Sequence, residues 1–399
     1  MMRIHMNSNK LFNKLADFLI LLPIFWSFTG LFHLYNGDKI LVVLTLISAL
    51  ASVIKYKKSA IVINIKSKYV WLMYSLLFIS ITADILNLYN PINIRAIAIL
   101  CVFLTFLPCQ LITRKVLIFS CFIGCINALF FVVHFTYIDP VERGFWPVNA
   151  IPFATYICFI SAIVFILLLT SKTVKEKFAL TLTLIISIIS LAITETRGAL
   201  VALLPTLISI YFYYAYQRKT LKKSIVISLI SITLIFTAIY PIIKERIIQT
   251  QQEITQIDDG NTDTSIGLRL NFWIAGINLI EQSPFVGYGQ NYYSQLNQLA
   301  KEKVIIQAAA NYKPPHFHNQ FIDIAVKCGL FGLAFLLVLI FIPIFFVRNK
   351  SSLNAICIYS FISILILSGL TDVPFFHKQI FILYFLCIGI FLSREKFES

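Results

Sequence analysis

The chain has 399 residues, of which 59% are hydrophobic and 13% are charged, and its mean hydropathy is +0.84. In a soluble domain about a quarter of the residues are charged. The low charged fraction of this chain therefore excludes a soluble domain and indicates a polytopic membrane protein. The net charge of +15 does not indicate a nucleic-acid partner, because the basic residues lie in short clusters between apolar runs and not on one face.

Apolar runs long enough to cross a bilayer dominate the chain. A membrane helix needs roughly 20 apolar residues, and the sequence offers twelve candidate spans. They are residues 17–35, 39–55, 69–88, 96–113, 116–138, 149–171, 178–195, 198–216, 224–243, 329–347, 352–370 and 376–393. We therefore predict an all-α polytopic membrane protein of about twelve transmembrane helices with one long loop outside the membrane.

The positive charges between the spans predict the orientation. If the N-terminus is cytoplasmic, 21 Lys and Arg residues fall on the cytoplasmic side, and the short loops of the opposite side hold five. By the positive-inside rule both termini are predicted to be cytoplasmic. The segment from about 244 to 318 then faces the opposite side, which is the periplasm in a bacterium with two membranes.

The long polar segment divides the chain into three predicted parts. Residues 1–243 form a transmembrane bundle of about nine spans, residues 244–328 form the periplasmic loop, and residues 329–399 form three further transmembrane helices. We find no internal repeat and no low-complexity tract, so one bundle with one inserted segment accounts for the length.

Two helices are predicted in the loop region. The first begins after Thr264 and ends before Ser283, because a stripe that includes Leu270, Ile274 and Ile277 recurs at helical spacing. The second starts just after Pro314-Pro315, since apolar residues from Phe321 to Cys328 recur at i, i+3, i+4 and i+7.

His318 immediately precedes the second helix and is the first candidate for chemistry. The positive end of the helix dipole disfavours a second positive charge, so we expect the imidazole to stay neutral and able to accept a proton. The alternative is that His316 and His318 are polar residues at the membrane interface.

Arg197 lies in a turn between two spans that leaves almost no loop. A guanidinium at that depth normally faces a watered cavity or a partner. The alternatives are a salt bridge to Glu195 and snorkelling of the side chain.

Arg269 is predicted in the first turn of the first loop helix, where a cation and free backbone N–H groups make a plausible anion site. The alternative is a charge that anchors a surface helix to anionic lipid. Arg143, which adjoins two acids, is a further candidate. The guanidinium group of an arginine can form two parallel hydrogen bonds to the oxygens of a diphosphate. Arg197, Arg269 and His318 therefore suggest a site for a lipid-linked phosphate compound.

No metal or cofactor site is predicted. Asp258, Asp259 and Asp263 cluster in a polar run without a matching histidine or carboxylate group. The sequence contains neither a phosphate-binding GxxxxGK[ST] loop nor a G-x-S-x-G nucleophile turn.

One motif resembles a known family. His318-Asn319, followed by nine residues and then Gly329-Leu330-Phe331-Gly332, matches the H-[NSQ]-x9-G-x-x-[GTY] signature of bacterial O-antigen ligases. Residues 194–199 and 265–270 are similar to other recurrent positions of that family, and the layout of twelve spans with a late periplasmic loop agrees with it.

The resemblance implies an inverting, metal-independent glycosyltransferase in the bacterial inner membrane, with a bundle of the GT-C type. Such an enzyme would transfer O-antigen polysaccharide from undecaprenyl diphosphate to a sugar hydroxyl of the lipid A core and so complete lipopolysaccharide. On the matching positions, His318 would be the general base, with Asn319 beside it, and Arg197 and Arg269 would bind the diphosphate.

Two alternatives remain open on the sequence. An O-antigen polymerase of the same superfamily joins repeat units on the same lipid. A flippase or transporter of lipid-linked sugar belongs to a different class, which is often built from repeated halves.

Overall fold

A computed structural model describes the backbone of residues 2–86, 89–349 and 351–398. The side chains of residues 2–10 and 395–398, and most of those between 222 and 246, lie outside the described set.

Sixteen α-helices and no strand occur in the described part of the chain, which confirms the all-α prediction. In chain order the helices are α1 (Met2–Ser27), α2 (Gly37–Tyr56), α3 (Ser59–Ile65), α4 (Lys68–Ile85), α5 (Ile94–Phe106), α6 (Arg114–Val133), α7 (Ala150–Leu169), α8 (Val174–Ile193), α9 (Arg197–Gln217), α10 (Leu221–Asp258), α11 (Ser265–Gln282), α12 (Tyr292–Lys301), α13 (Gln307–Tyr312), α14 (Gln320–Phe346), α15 (Leu353–Gly369) and α16 (Lys378–Glu398).

Eight helical segments among the described residues are long and apolar enough to cross a membrane. Two more of the predicted spans coincide with α5 and α15, which are apolar but only 13 and 17 residues long. The predicted spans 224–243 and 376–393 fall in α10 and α16, and part of each helix lies outside the described side chains. The multi-pass architecture is therefore confirmed, and the count of twelve stays a prediction.

Helix α7 is the centre of the bundle. It packs against α6, α8, α9, α15 and α16, and 83% of its apolar window is buried. A helix that is hydrophobic on all sides has no polar face to turn toward water, so it packs in the interior of a bundle. The main hydrophobic core extends from α7 to the neighbouring helices.

Helices α11, α12 and α13 together form a region that we call the cap. A second, smaller hydrophobic core lies beneath them. Phe272 of α11, Leu296 of α12 and Ala309 of α13 are all buried in it. The predicted helix after Thr264 is confirmed, because α11 spans Ser265–Gln282 with Thr264 as its N-cap. Its buried face is not the predicted stripe, however: Ile274 and Ile277 are exposed.

Helix α14 belongs to both regions because it is kinked at Gly329, where φ is 66° and ψ is −174°. At the kink the helical hydrogen bonds are interrupted, and the segment after α11 supplies replacement partners. The N–H of Tyr288 donates to the carbonyl of Val326 at 2.8 Å, and the N–H of Leu330 donates to the carbonyl of Pro284 at 2.7 Å. A Cβ on residue 329 would collide with the carbonyl oxygen of Phe285. The left-handed φ and this close approach together require glycine.

Candidate active site

Three arginines, Arg143, Arg197 and Arg269, line one cavity between the cap and the bundle. The cavity has a volume of about 300 Å³, and we call it the arginine cavity. Its walls include the first turns of α9 and α11 and the loop after α15. Two acids, Glu195 and Asp372, also line it.

Arg197 is the first residue of α9 and follows a turn in which Glu195 has a positive φ of 52°. Gly198 follows it, and a Cβ there would collide with the hydroxyl of Thr371. The small residue therefore lets the start of α9 approach the loop after α15 closely. This contact explains why an Arg-Gly pair occurs at this turn, and it brings Arg197 beside the loop that carries Asp372.

The partner of Arg197 is Glu253 near the end of α10, at 2.7 Å, and not the neighbouring Glu195. The other carboxylate oxygen of Glu253 accepts the backbone N–H of Ile266 at 2.9 Å. An anionic group here thus receives one arginine N–H and one free N–H from the start of α11. A phosphate oxygen seeks the same combination of donors.

Arg269 lies one turn into α11, slightly later than the predicted first turn. It makes no hydrogen bond or ion pair with any residue in the described ranges, and it lines the arginine cavity. Burial lowers the pKa of this guanidinium, while the negative charges of Asp372 and Glu253 oppose that shift. Since an arginine remains protonated in proteins, Arg269 presents a positive charge to the cavity.

Arg143 also lines the cavity, and its guanidinium contacts both the carboxylate of Glu195 at 3.4 Å and the backbone carbonyl of Glu195 at 3.3 Å. These contacts tie the segment before α7 to the turn before α9. They give Arg143 a structural partner, and we therefore assign it a secondary place in the site.

His318 directly precedes α14, as predicted, with Asn319 as the N-cap of that helix. The side-chain oxygen of Asn319 accepts the N–H groups of Phe321 and Ile322 at 3.0 and 3.1 Å, and its amide donates to the carbonyl of Leu370 at 3.3 Å. A capping residue with both an acceptor and a donor thus holds the start of α14 against the loop after α15. His318 itself has a positive φ of 50°.

Asp372 faces His318 across this junction. Its Oδ1 lies 3.7 Å from Nδ1 of His318, and its Oδ2 lies 3.6 Å from Nε2 of His377. Both distances exceed a normal hydrogen bond, and Nδ1 of His318 has no closer partner in the described part of the chain. A small approach of the two groups would let His318 donate through Nδ1 and leave Nε2 free to accept a proton.

The carboxylate of Asp372 is nevertheless ionised. Burial acts to raise its pKa, but the contacts with His318 and His377 and the nearby positive charge outweigh burial and hold the pKa well below its usual value. Asp372 is 4% exposed, so its charge acts at short range with little water between it and the imidazole rings.

Cap residues fix the orientation of His318. The ring of Phe272 stacks on the imidazole, with centroids 5.8 Å apart and planes 17° from parallel. The indole N–H of Trp273, which lines the arginine cavity, donates to the backbone carbonyl of His318 at 3.4 Å. His318 does not itself line the arginine cavity; it lies directly behind Trp273 and Asp372.

A buried ion pair holds the loop before His318. Lys327 and Asp323 of α14 lie 2.8 Å apart, and both side chains are at most 3% exposed. Lys327 donates to the carbonyl of Pro315 at 2.9 Å, and Asp323 accepts the N–H of Phe317 at 3.1 Å. The ion pair of α14 therefore satisfies the N–H of Phe317 and the carbonyl of Pro315, which supports the loop that carries the histidines.

Three histidines and one acid form a cluster, which we call the histidine cluster: His316, His318, Asp372 and His377. One donor atom from each of His316, Asp372 and His377 lies within 4.8 Å of the others, a set that could hold a divalent cation. Burial lowers the pKa of His316 to about 3, against the opposing effect of the Asp372 carboxylate.

The sequence analysis missed Asp372, His377 and Glu253. A signal for Asp372 was present, because it is the only Asp, Glu, Lys or Arg between residues 351 and 377. An ionisable residue in so apolar a region usually has a functional role. The partnership of Glu253 with Arg197 joins residues 56 positions apart and leaves no local pattern.

The fold and this cavity define a class: a multi-pass helical membrane protein with a cationic site beside a half-buried histidine. Residues 182–337 match the family model described as O-antigen ligase, and this range contains Arg197, Arg269 and His318. The chain is 27% identical over 206 residues to the O-antigen ligase of Escherichia coli K12, covering 51% of this chain and 48% of the relative.

It is also 27% identical over 207 residues to an uncharacterized protein of Haemophilus influenzae Rd, covering 48% of this chain and 51% of the relative. The chain spans about half the length of the curated relatives it matches. The family match and the similarity to the E. coli protein thus both relate part of the chain to O-antigen ligases.

Proposed function

We propose that this protein is an O-antigen ligase. It transfers O-antigen polysaccharide from undecaprenyl diphosphate to a sugar hydroxyl of the lipid A core, at the periplasmic face of the bacterial inner membrane. The observation that carries the proposal is that Arg197, Arg269 and Asp372, from three different segments of the chain, line one cavity, while His318 lies behind its wall with Nδ1 3.7 Å from Asp372.

The donor diphosphate binds in the arginine cavity. Arg269 offers a guanidinium that has no partner among the described side chains, and Arg197 with the N–H of Ile266 already holds the carboxylate of Glu253. As the bond between the anomeric carbon and the diphosphate oxygen breaks, negative charge grows on the leaving group. Donors that are already oriented toward that charge lower the barrier without further rearrangement.

His318 acts as the general base. Asp372 holds the imidazole with Nδ1 protonated, so Nε2 takes the proton from the acceptor hydroxyl while its oxygen attacks the anomeric carbon. The new glycosidic bond forms as the bond to the diphosphate breaks. The proton is then on His318, and undecaprenyl diphosphate leaves with its charge bound by the arginines.

This route needs no metal ion, because arginines supply the positive charge that a divalent cation would otherwise bring to a diphosphate. We expect transfer by the purified protein to continue in excess EDTA.

The test is complementation of a strain that lacks its own ligase. Wild-type protein is expected to restore laddered lipopolysaccharide on a gel, and His318→Ala to reduce transfer by at least about 10²-fold, the scale of a lost general base. His134→Ala is the matched control, because His134 lies in the segment after α6, outside the histidine cluster.

Normal ladders from His318→Ala, at equal protein level, would reject the base assignment. A deletion strain that still attaches a single repeat unit to its core would identify a polymerase instead of a ligase. If the purified protein forms no glycosidic bond but moves lipid-linked sugar across a vesicle membrane, the protein is a transporter.

A further inference from the structure

A second cavity lies on the other side of the histidine cluster. It has an inner chamber of about 180 Å³ and an outer chamber of about 480 Å³. Both chambers are lined by residues 89–92, Phe375, Phe376 and Phe381, so they adjoin each other. We call the two chambers together the Phe376 cavity.

The two chambers differ in polarity. The inner one is walled mainly by apolar residues of α4 and α14, such as Ile79, Phe335 and Leu339. It also contains Ser80, whose buried hydroxyl has no hydrogen-bond partner among the described residues. The outer chamber is lined by amides and a cation, including Asn93, Gln290, Lys378 and Gln379. One ligand that fills both chambers must be an amphiphile.

The rim of the outer chamber is positively charged. Asp38 is the shared partner of Lys378, at 2.7 Å, and of Arg95, at 3.3 Å. Two cations thus surround one buried carboxylate, which leaves a surplus positive charge beside the chamber. Among the residues that the structure describes, no Asp or Glu lines the outer chamber. This charge favours a ligand whose polar end is anionic.

The histidine cluster forms the wall between the two cavities. His377 lines the outer chamber and contacts Asp372, which lines the arginine cavity. The ring of His316 lies 5.0 Å from that of Phe376 and 4.4 Å from that of His318. A group that enters beside His377 therefore approaches the base from the side away from the arginines.

We propose that the Phe376 cavity binds the acceptor, a lipid with an anionic sugar headgroup. Its acyl chain occupies the inner chamber, and its headgroup lies at the outer chamber beside Lys378 and Gln379. This inference rests on the proposed function, because direct displacement at the anomeric carbon requires the attacking hydroxyl and the leaving diphosphate to lie on opposite sides. Two cavities separated by the base provide that geometry.

The first test is photocrosslinking in cells that make lipid A core but no O-antigen donor. A photoreactive amino acid replaces Gln379 at the outer chamber or, in a separate variant, Ile266 in the arginine cavity. We expect the full-length chain to crosslink to core lipopolysaccharide from position 379 and not from position 266. Crosslinking to lipopolysaccharide from 266 alone, or to phospholipid alone from 379, would overturn the proposal.

This readout is independent of catalysis. Adding His318→Ala to the variant at position 379 is expected to leave the crosslink intact, because the base is not needed for binding. If His318→Ala proves fully active in transfer, the proposed function fails, while the crosslink still reports whether an acceptor occupies the cavity.

The second test fills the inner chamber. Ala83 of α4 lines it, whereas Ile81 of the same helix is exposed and does not. With purified protein, Ala83→Phe is expected to raise the KM for core lipopolysaccharide about tenfold and to leave the KM for the lipid diphosphate donor unchanged. Ile81→Phe adds an aromatic ring nearby and is expected to change neither. An equal rise in both KM values for Ala83→Phe alone would contradict a separate acceptor site.

Discussion

The arginine cavity and the Phe376 cavity share one wall but differ in nearly every other property. The first is lined by three arginines and the starts of two helices, and the second by aromatic and aliphatic side chains with amides at its rim. Positive charge is concentrated where a leaving group would gain negative charge, and apolar surface lies where a lipid chain would rest. Under the proposed function, this difference would let a donor and an acceptor approach His318 from opposite sides.

Among the substitutions that distinguish the two cavities, those at Arg269 are expected to cause the largest loss of activity. Arg269→Ala removes the unpaired guanidinium, and we expect kcat/KM for the donor to fall about 10²- to 10³-fold, as for loss of one preorganised donor to a developing charge. Arg269→Lys keeps the positive charge but loses the guanidinium group that can form two parallel hydrogen bonds. Its activity is therefore expected to lie between that of the wild type and that of Arg269→Ala. Steady-state kinetics with each substrate varied in turn measures both.

Lys301→Ala is the control for these variants, because Lys301 is an exposed cation of the cap at the end of α12. It is expected to behave as the wild type. Full activity of Arg269→Lys and of Arg269→Ala would mean that Arg269 only anchors the cap to the membrane.

A smaller effect, on the shared wall itself, is expected from Asp372→Asn. This change keeps the shape of the side chain but removes the charge that orients His318 and stabilises its protonated form. We expect kcat to fall on the order of 10²-fold, with the KM for donor and acceptor unchanged, because neither cavity loses a binding group. Asp263→Asn, at an exposed carboxylate before α11, is the control.

Equal losses in kcat and in thermal stability would instead show that Asp372 holds the loop after α15 together. Rates and melting temperature measured on the same purified samples distinguish these two roles.

The smallest and least selective effect is expected at the kink of α14. Gly329→Ala places a side chain at φ 66°, against the carbonyl of Phe285, at a strain cost of about 1–3 kcal/mol. The melting temperature is expected to fall, and both KM values to rise, since α14 supports the histidine cluster and lines the Phe376 cavity. Gly144→Ala, where a Cβ meets nothing within 4 Å, is expected to change neither property.

Local patterns were enough to predict the elements that carry the site. Helical periodicity predicted α11 and the presence of α14, although α14 begins at Gln320 and not directly after Pro315 as predicted. The H-[NSQ]-x9-G spacing has a physical basis in the structure, because Asn319 caps α14 and Gly329 kinks it. The tight turn before Arg197 correctly marked a cation beside a cavity.

Long-range packing decided what the sequence could not predict. The buried face of α11 turned out to be the one with Phe272 and Leu279, because the cap has a core of its own. Asp372 meets His318 from 54 positions away, and the Phe376 cavity combines α4, α14 and the segment before α16. No periodicity within one segment reports such a contact.

The most direct test of the central claim is an experimental structure of the full chain in lipid nanodiscs with undecaprenyl diphosphate bound. The account predicts diphosphate oxygens within about 3.2 Å of the guanidinium nitrogens of both Arg197 and Arg269, with His318 on the far side of the anomeric position. A diphosphate that contacts neither arginine, or that lies in the Phe376 cavity, would contradict it.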